Sequence, residues 1–408
     1  MVTGADAATG TAKELDVPAV QAALAAEGLD GWLLYDFHGI NPIAGDVTGV
    51  ARQGGHLATR RWYYLIPSAG SPRKLVHAIE PDSLAHLPGT TERYARREQL
   101  EAGLRRLLTG MRRVAMEYSP DCGIPYIARV DAGTIELVRA MGPAVVSSAD
   151  LVQRFSAVWN DAEIATHREA SVKLHQIKDR AFEAVARGIR DNGSTNELAI
   201  QQLMVRWFAD EQLEADSPPN VSVNENAGNP HYLPTAESSR PIRAGSLVLL
   251  DLWGKLARAG SVYADITWVG YAGRDRDVPA RFTAAFEAVR DARDAAVTLV
   301  QDRVRSATAV RGFEVDRAAA AVLEARGYAS QILHRTGHSL GESVHGAGVN
   351  MDDYETHDDR RLLPGTGFTI EPGVYFTDFG VRTEINMIVG GRDATVTGPL
   401  QGGIVALG

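Results

Sequence analysis

The chain has little of what disulfide-stabilised, nucleic-acid-binding or membrane proteins need. Its 408 residues include one cysteine, Cys122, which excludes an intrachain disulfide and favours a reducing compartment. Acidic residues outnumber basic ones by 51 to 42, giving a net charge of −9, which argues against nucleic acid or an anionic membrane as the main partner. No run approaches the roughly 18 apolar residues of a membrane helix, and no stretch has the pattern of a secretory signal. We therefore expect a cytoplasmic protein.

What the chain does have is the length of two domains and the composition of a soluble enzyme, 45% hydrophobic and 23% charged. Strand and helix patterns alternate up to about residue 150, which predicts a mixed α/β domain over 1–158. A second domain is predicted over 159–408, with a long helix over 161–193 and a further helix that begins at a capping box of Ser194 and Glu197. The order of helices and hairpins after residue 160 predicts two similar helix–hairpin units.

The first predicted hairpin carries two aspartates inside apolar runs, Asp251 in LVLLDLW and Asp265 in VYADITWV. Because side chains alternate between the faces of a strand, Asp251 shares a face with Trp253, and Asp265 shares one with Thr267. The midpoint between the aspartates, residue 258, falls in the turn, which predicts that the two are direct cross-strand neighbours. Two buried carboxylates at that spacing require either a proton or a cation between them.

The second predicted hairpin, GFTIEPGVYFTDFGVRTEINMIVG, carries Glu371 and Glu384, whose midpoint again falls in the turn. Pro372 and the glycine after it predict a bulge beside Glu371. Arg382 precedes Glu384 by two residues, so it shares that face and can clamp a carboxylate. A single acidic residue in a strand most often faces water, but two paired sets within apolar strands favour one shared site.

Histidines lie between the two hairpins, in the glycine-rich segment LHRTGHSLGESVHG, as His334, His338 and His345. One such histidine alone would be an ordinary loop residue, and so would His231 in the polar loop before the first hairpin. Four carboxylates and one imidazole form an oxygen-rich site that suits Mn²⁺ and tolerates Co²⁺, Fe²⁺ or Zn²⁺. Two such ions would nearly neutralise the carboxylates, polarise a carbonyl and make hydroxide available near neutral pH.

The order of these residues resembles that of the pita-bread metallopeptidases, the family of aminopeptidase P, prolidase and creatinase. TGHSLG…VH resembles the Gly-His segment of that family, FTIEPGVY and GVRTE resemble its two glutamate motifs, and PHY resembles its upstream histidine segment. The resemblance implies an α+β fold, in which a mixed α/β domain of the creatinase type precedes a C-terminal pita-bread catalytic domain.

The resemblance also implies roles for individual residues. The five implied metal ligands, the second and fifth of them bridging two ions, are Asp251, Asp265, His338, Glu371 and Glu384. His231 and His345 would contact the scissile carbonyl and the P1′ residue, Arg382 would support the glutamates, and His334 would line the proline side. The implied reaction is hydrolysis of an Xaa-Pro peptide bond by metal-bound hydroxide, with two divalent ions, Mn²⁺ first among them, as cofactors.

Three departures from the family pattern leave the substrate open. Trp268 stands where the family usually has arginine, Gly346 stands where an acidic residue is usual, and the turn between the aspartates is longer. One alternative is therefore a small non-peptide substrate, handled by a creatinase-like C–N hydrolase or a lyase. Another is a metal-free peptide-binding module, which would have lost ligands.

We expect a small peptide or a small molecule as the substrate. The resemblance alone also implies a homodimer. The loop YDFHGINPIAG over 35–45 is a candidate lid, because it combines aromatic, His and Asn groups with glycines. His38 is then a candidate substrate-binding residue. The alternative is an ordinary strand-to-helix loop.

Overall fold

The computed structural model describes residues 15–50 and 58–408 and divides the chain into two compact units, Met1–Ser156 and Ala157–Gly408. In this described part, no helix combines the length and the apolar composition that crossing a bilayer requires. Residues 1–14, to which the expectation of no secretory signal applies, lie outside the described residues.

The first unit is a six-stranded mixed sheet with helices on both faces. Its elements are α1 (Val17–Ala26), β1 (Gly31–Asp36), α2 (Pro42–Thr48), β2 (Trp62–Pro67), β3 (Arg73–His77), β4 (Thr90–Tyr94), α3 (Arg97–Leu107), β5 (Arg113–Met116), α4 (Ala132–Ala140), β6 (Ala144–Ser147) and α5 (Ala149–Ser156). The strand order is β4-β3-β2-β1-β5-β6. β2 pairs antiparallel with β1 and β3, and the other neighbours are parallel.

Alternation along the central strands explains this layering. In β1, Trp32 and Leu34 join a core cluster that includes α1, whereas Leu33 and Tyr35 join one that includes α3 and α4. Every residue of β1 and β2 is buried, as expected for strands covered on both sides.

The second unit repeats the order of two helices followed by strands. Its elements are α6 (Asp161–Asn192), β7 (Thr195–Asn196), α7 (Glu197–Asp210), β8 (Leu213–Glu214), β9 (Asn220–Val223), β10 (Pro241–Ile242), β11 (Leu247–Leu256), β12 (Ala264–Tyr271), α8 (Ala280–Arg305), α9 (Gly312–Ala325), β13 (Gly367–Ile370), β14 (Gly373–Tyr375), β15 (Gly380–Arg382), β16 (Ile385–Val389), β17 (Ala394–Thr397) and β18 (Val405–Ala406). This order confirms the predicted pair of helix–hairpin units.

The β11–β12 hairpin lies between the two helix pairs of this unit. Leu250 belongs to the core cluster that includes α6 and α7, whereas Leu249 belongs to the cluster that includes α8 and α9. Asp251 lies on the same face of β11 as Leu249, two residues further along, and is not part of that second cluster. One face of the strand therefore borders the hydrophobic core at Leu249 and the polar site at Asp251.

The start of α7 differs from the prediction. Its N-cap is Asn196, whose side chain accepts a hydrogen bond from the backbone N–H of Ala199, and Ser194 does not form the predicted capping box. Residues 195 and 196 pair with β10, so that the chain stays extended until Asn196 and the helix begins later. The Glu197 side chain instead turns inward and accepts from the backbone N–H of Val223 at 2.7 Å.

The register of the first hairpin also corrects an expectation. Asp251 is opposite Thr267, and Asp265 is opposite Trp253, so the two aspartates are diagonal rather than direct neighbours. Both remain on one face, because a shift of two residues preserves the alternation of side chains.

The second hairpin has the predicted register. Ile370 pairs with Ile385 and Gly373 pairs with Arg382, which places Glu371 opposite Glu384. Because the register is the same on both sides of the interruption, the predicted bulge beside Glu371 is absent. Pro372 breaks the ladder without inserting a residue.

A buried histidine of α6 connects the two hairpin regions and leads to a prediction about pH. His167 Nδ1 lies 2.7 Å from the carbonyl oxygen of Tyr263, and Nε2 lies 2.9 Å from the Thr397 hydroxyl. A carbonyl only accepts, so Nδ1 donates and Nε2 accepts. Burial lowers the pKa of His167 from 6.5 to about 4. The neutral imidazole therefore stabilises the fold above pH 6.5, and this contribution is lost as the pH falls towards 4.

We expect His167→Asn to remove this part of the pH dependence. Between pH 7 and pH 4 the wild-type free energy of unfolding should fall by about 3 kcal/mol more than that of the variant. Urea unfolding of both proteins with chelator present measures the difference. Parallel pH curves would contradict the neutral, buried imidazole.

Candidate metal centre

Three of the five predicted ligands converge on one point. Asp265, His338 and Glu384 are buried, and one potential ligand atom from each lies within 4.8 Å of the others. Glu371 adjoins them, since its Oε1 is 3.5 Å from His338 Nε2. Asp265 lies in β12, Glu384 lies between β15 and β16, and His338 and Glu371 lie in loops beside β13, so the site is assembled from segments that are distant in sequence.

Thr267 links the fifth predicted ligand to this group. Its hydroxyl oxygen lies 3.0 Å from Asp251 Oδ1 and 2.8 Å from Glu384 Oε2, and its single proton is donated to one of them at a time. Thr267 is directly opposite Asp251 on β12. A β-branched residue at this position therefore holds the two hairpins together through a hydroxyl group.

The hydrogen bond of His338 fixes which ring nitrogen faces the carboxylates. Nδ1 lies 3.0 Å from the carbonyl oxygen of Ser339, and because a carbonyl only accepts, Nδ1 carries the proton. Nε2 is therefore the nitrogen that faces Asp265 Oδ2, at 3.7 Å. Without a cation, desolvation is outweighed by the hydrogen bond to Asp265 and by the nearby carboxylates, which raise the pKa of His338. A backbone carbonyl that fixes the tautomer in this way is a usual companion of a metal-binding histidine.

Two buried oxygens in the site have no hydrogen-bond donor among the described residues, Oδ1 of Asp265 and Oε1 of Glu384. Burying a carboxylate oxygen without a donor is costly unless a cation takes the donor's place. Four carboxylates share the buried guanidinium of Arg382 as their closest counter-charge, so the cluster carries excess negative charge unless protons or a cation offset it. The residues present therefore fit a divalent cation held by oxygen atoms and one imidazole nitrogen.

The same burial shifts the ionisation of these groups. Desolvation, followed by the charges of Asp265, Glu371 and Asp251, raises the pKa of Glu384 well above its usual range. Desolvation likewise raises the pKa of Asp265, to about 7. Without a cation, the cluster therefore retains protons at neutral pH, and binding a cation must displace them.

Arg382 is the buried counter-charge of the site. Its Nη2 donates to Asp251 Oδ2, its Nε donates to the Thr267 hydroxyl at 3.1 Å, and its Nη1 donates to the Tyr375 hydroxyl at 3.0 Å. Nε is also 4.0 Å from Glu371 Oε2. The predicted clamp is thus present, and it holds an aspartate of the first hairpin more closely than the glutamates.

His334 adjoins the same network through Tyr375. Its Nε2 lies 2.7 Å from the Tyr375 hydroxyl, and its Nδ1 lies 2.6 Å from the Arg335 carbonyl oxygen. Nδ1 therefore donates and Nε2 accepts, which makes the ring neutral. Burial also lowers the pKa of His334.

The other predicted histidines differ in their relation to the cluster. The ring centroid of His345 is 4.5 Å from that of His338, on the exposed side of the site, and desolvation followed by the His338 charge lowers its pKa. His231 is exposed, and within the described part of the chain its imidazole makes no hydrogen bond to the five ligands. His38 is exposed in the β1–α2 loop of the first unit, and its role as a lid residue stays a prediction.

The two unusual residues have local explanations. Trp268 points to the opposite face of β12 from Asp265, where Lys178 Nζ lies 3.8 Å from its ring centroid. A Cβ atom at Gly346 would lie 2.8 Å from the carbonyl group of Leu340, so a side chain does not fit there. Neither departure removes a ligand from the cluster.

Sequence reasoning missed the supporting residues of the site. Thr267 and Asn386 lie two residues from a predicted ligand on the same strand face, and this spacing was the available signal. Tyr375 gave no such signal, because its partner His334 lies 41 residues away in sequence.

Comparisons with known proteins agree with this geometry. The profile of metallopeptidase family M24 matches residues 169–390, a segment that contains all five predicted ligands. The "Probable dipeptidase PepE" of Mycobacterium tuberculosis is 27% identical over 264 residues, which is 62% of each chain. The "Xaa-Pro dipeptidase" of Lactobacillus helveticus is 27% identical over 239 residues, 58% of each chain. The chain thus matches less than two thirds of the length of these relatives.

Solved structures show the same fold over nearly the whole chain. Dipeptidase PepE from Mycobacterium ulcerans superposes with a TM-score of 0.67 and 21% identity, covering 96% of each chain. The Xaa-Pro dipeptidase from Bacillus anthracis gives a TM-score of 0.58 and 19% identity, covering 96% of this chain and 98% of the other. The α+β architecture, with a pita-bread second unit, is therefore that of these enzymes. Because the family profile covers more than half of its length, this chain belongs to metallopeptidase family M24.

Proposed function

We propose that this protein is a peptidase that hydrolyses an Xaa-Pro peptide bond with two divalent metal ions, Mn²⁺ being the preferred ion. The observation that carries the proposal is the convergence of Asp265, His338 and Glu384, with two buried carboxylate oxygens that lack a donor. Such a site is costly to fold without a cation. Asp251 and Glu371 adjoin it and supply the remaining oxygens of a two-ion site.

Bound divalent ions would polarise the scissile carbonyl and lower the pKa of a water molecule. The chain's own residues position the ligands and move protons. His338 presents Nε2 because Ser339 holds its Nδ1 proton. His345, beside His338, would contact the scissile carbonyl and could pass a proton to the leaving amine. His334 would line the proline side.

The substrate class is supported by the names of relatives, two of which are called Xaa-Pro dipeptidase. The alternative of a small non-peptide substrate was motivated by Trp268 and Gly346. Trp268 packs against α6 on the opposite face of β12 from the site. Gly346 is explained by the nearby backbone of Leu340, which leaves no room for a side chain. Neither gives the alternative further support, so a peptide bond before proline remains the proposal.

We expect the protein, reconstituted with Mn²⁺, to hydrolyse Xaa-Pro dipeptides or longer peptides that begin with Xaa-Pro. Release of the N-terminal residue is measured for both lengths, with Xaa-Ala peptides as the matched control. Activity should be lost with chelator and restored by Mn²⁺. If the metal-loaded protein cleaves neither Xaa-Pro peptide, the Xaa-Pro assignment is wrong.

The same assay separates the remaining candidates. Turnover of Xaa-Ala at the same rate would show a peptidase without proline selectivity. A metal-loaded protein that is inactive on all peptides but active in a screen of small amides and guanidino compounds would favour the non-peptide alternative. Failure to bind any divalent ion would favour the metal-free binding module.

A further inference from the structure

The outer edge of β12, the edge that does not pair with β11, forms hydrogen bonds with side chains as well as with backbone groups. One edge of this strand pairs with β11 throughout. On the other edge, the backbone of Asp265 is bonded to the Asn386 side chain, the carbonyl of Thr267 accepts from the backbone N–H of Glu384, and the backbone of Val269 is bonded to the Gln401 side chain. β18 pairs with the last two residues of the strand on this edge, so two side-chain amides supply the hydrogen bonds at Asp265 and Val269 only.

The Asn386 amide holds both polar groups of one residue. Its Oδ1 accepts from the backbone N–H of Asp265 at 3.0 Å, and its Nδ2 donates to the carbonyl oxygen of Asp265 at 2.6 Å. Asn386 is fully buried. The side chain thus replaces the peptide group of a neighbouring strand, and its removal would leave a buried donor and a buried acceptor without partners.

Asn386 also lies two residues after Glu384. The segment from Glu384 to Asn386 therefore supplies one carboxylate of the cluster and binds the backbone of Asp265, which supplies another. Oδ1 of Asp265 and Oε1 of Glu384 have no donor of their own within the described residues. The distance between these two carboxylates therefore depends on the backbones that Asn386 joins and on the Thr267 hydroxyl that bonds Glu384 Oε2.

We propose that Asn386 is a positioning residue that holds Asp265 opposite Glu384 and thereby raises the affinity of the site for a divalent cation. The proposal rests on the metal site of the proposed function and adds a residue to it. Groups that orient metal ligands without touching the ion typically change metal affinity by about 10- to 100-fold when they are removed. We expect an effect of that size for Asn386.

Gln401 offers a matched control on the same strand. Its Oε1 accepts from the backbone N–H of Val269 at 3.0 Å, and its Nε2 donates to the carbonyl oxygen of Val269 at 2.6 Å. The chemistry, the burial and the clamped strand are the same, but the clamped residue is apolar and is not part of the cluster. A merely structural role would give the same result at both positions.

The test is a titration of Mn²⁺ into metal-free protein, followed by calorimetry, for wild type, Asn386→Ala and Gln401→Ala. Both substitutions should lower the melting temperature of the metal-free protein. Only Asn386→Ala should raise the Kd for Mn²⁺, by about 10- to 100-fold, while Gln401→Ala stays close to wild type. If the alanine variant does not fold, the pair Asn386→Ser and Gln401→Ser replaces it, because a serine hydroxyl cannot make both bonds.

Equal Kd values for the two variants, whether unchanged or equally raised, would overturn the role of Asn386 without affecting the proposed function. A wild-type protein that does not bind Mn²⁺ would overturn both. Tight binding that Asn386→Ala weakens selectively, in a protein that does not cleave Xaa-Pro peptides, would support Asn386 and reject the peptidase assignment.

Discussion

Replacing Glu384 by glutamine is expected to abolish Xaa-Pro hydrolysis and, at the same time, to make the metal-free protein more stable. Glu384 is buried, its Oε1 has no donor within the described residues, and three other carboxylates adjoin it. Glutamine removes the charge and keeps an oxygen that can accept from the Thr267 hydroxyl. Near neutral pH the metal-free protein must keep Glu384 protonated, whereas glutamine is neutral without that proton, so the substitution should stabilise the metal-free protein by roughly 1–3 kcal/mol. A neutral amide is, however, a poor ligand for a divalent cation.

The sign of the pH dependence follows from the raised pKa of Glu384. A carboxyl group whose pKa is higher in the folded state than its unfolded value of 4.5 binds more protons when folded. Stability therefore falls as the pH rises above about 4.5. The advantage of Glu384→Gln should be small near pH 4 and should grow towards pH 8, as measured by urea unfolding with chelator present.

Glu197→Gln is the matched control, since Glu197 is also a fully buried carboxylate with a raised pKa caused by desolvation. Its oxygens, however, accept from the backbone N–H groups of Val223 and Arg240 and from the Tyr232 hydroxyl. An amide would turn a donor towards these donors, so we expect destabilisation of about 1–3 kcal/mol. If both variants changed stability in the same direction, the missing hydrogen-bond donor at Glu384 Oε1 would not explain its effect.

Replacing Arg382 by methionine should lower the free energy of unfolding of the metal-free protein by about 3–5 kcal/mol. The guanidinium is buried and donates to Asp251, Thr267 and Tyr375. Methionine fills part of the space but leaves Asp251 without its counter-charge. Because a divalent cation supplies positive charge to the same carboxylates, added Mn²⁺ should raise the melting temperature of Arg382→Met more than that of wild type.

Arg382→Lys separates charge from geometry. Lysine keeps the positive charge but cannot reach the three partners from one planar group, so its stability should lie between those of wild type and Arg382→Met. Thermal unfolding with and without Mn²⁺ measures all three proteins. A methionine variant as stable as wild type, with the same response to Mn²⁺, would show that Arg382 does not neutralise the site.

In the first hairpin, side-chain alternation predicted the strand faces correctly but not the register. Alternation placed Asp251, Trp253, Asp265 and Thr267 on one face, because side-chain direction is a local property of extended chain. The direct pairing of the aspartates was wrong by two residues. The reason lies in the turn: Gly254 pairs with Ala264, so the turn is centred on residue 259 and not on residue 258, which is midway between the aspartates.

The second hairpin shows the opposite outcome. Glu371 and Glu384 are opposite each other, as the turn midpoint predicts, but the bulge expected from Pro372 did not form. A proline can interrupt a ladder simply by lacking an N–H group. Local sequence indicated the interruption, and only the registers on both sides revealed that no residue was inserted.

The sequence by itself determined the order and chemical type of the acidic and imidazole groups and the strand faces that carry them, because side-chain chemistry and two-residue alternation are local. The tertiary structure decided how those faces meet. Asn386 grips Asp265 across 121 residues, and Thr267 reaches Glu384 across 117. Which carboxylate oxygens receive a donor and which are left for a cation depends on the registers and approach of separate strands, and no local pattern encodes these.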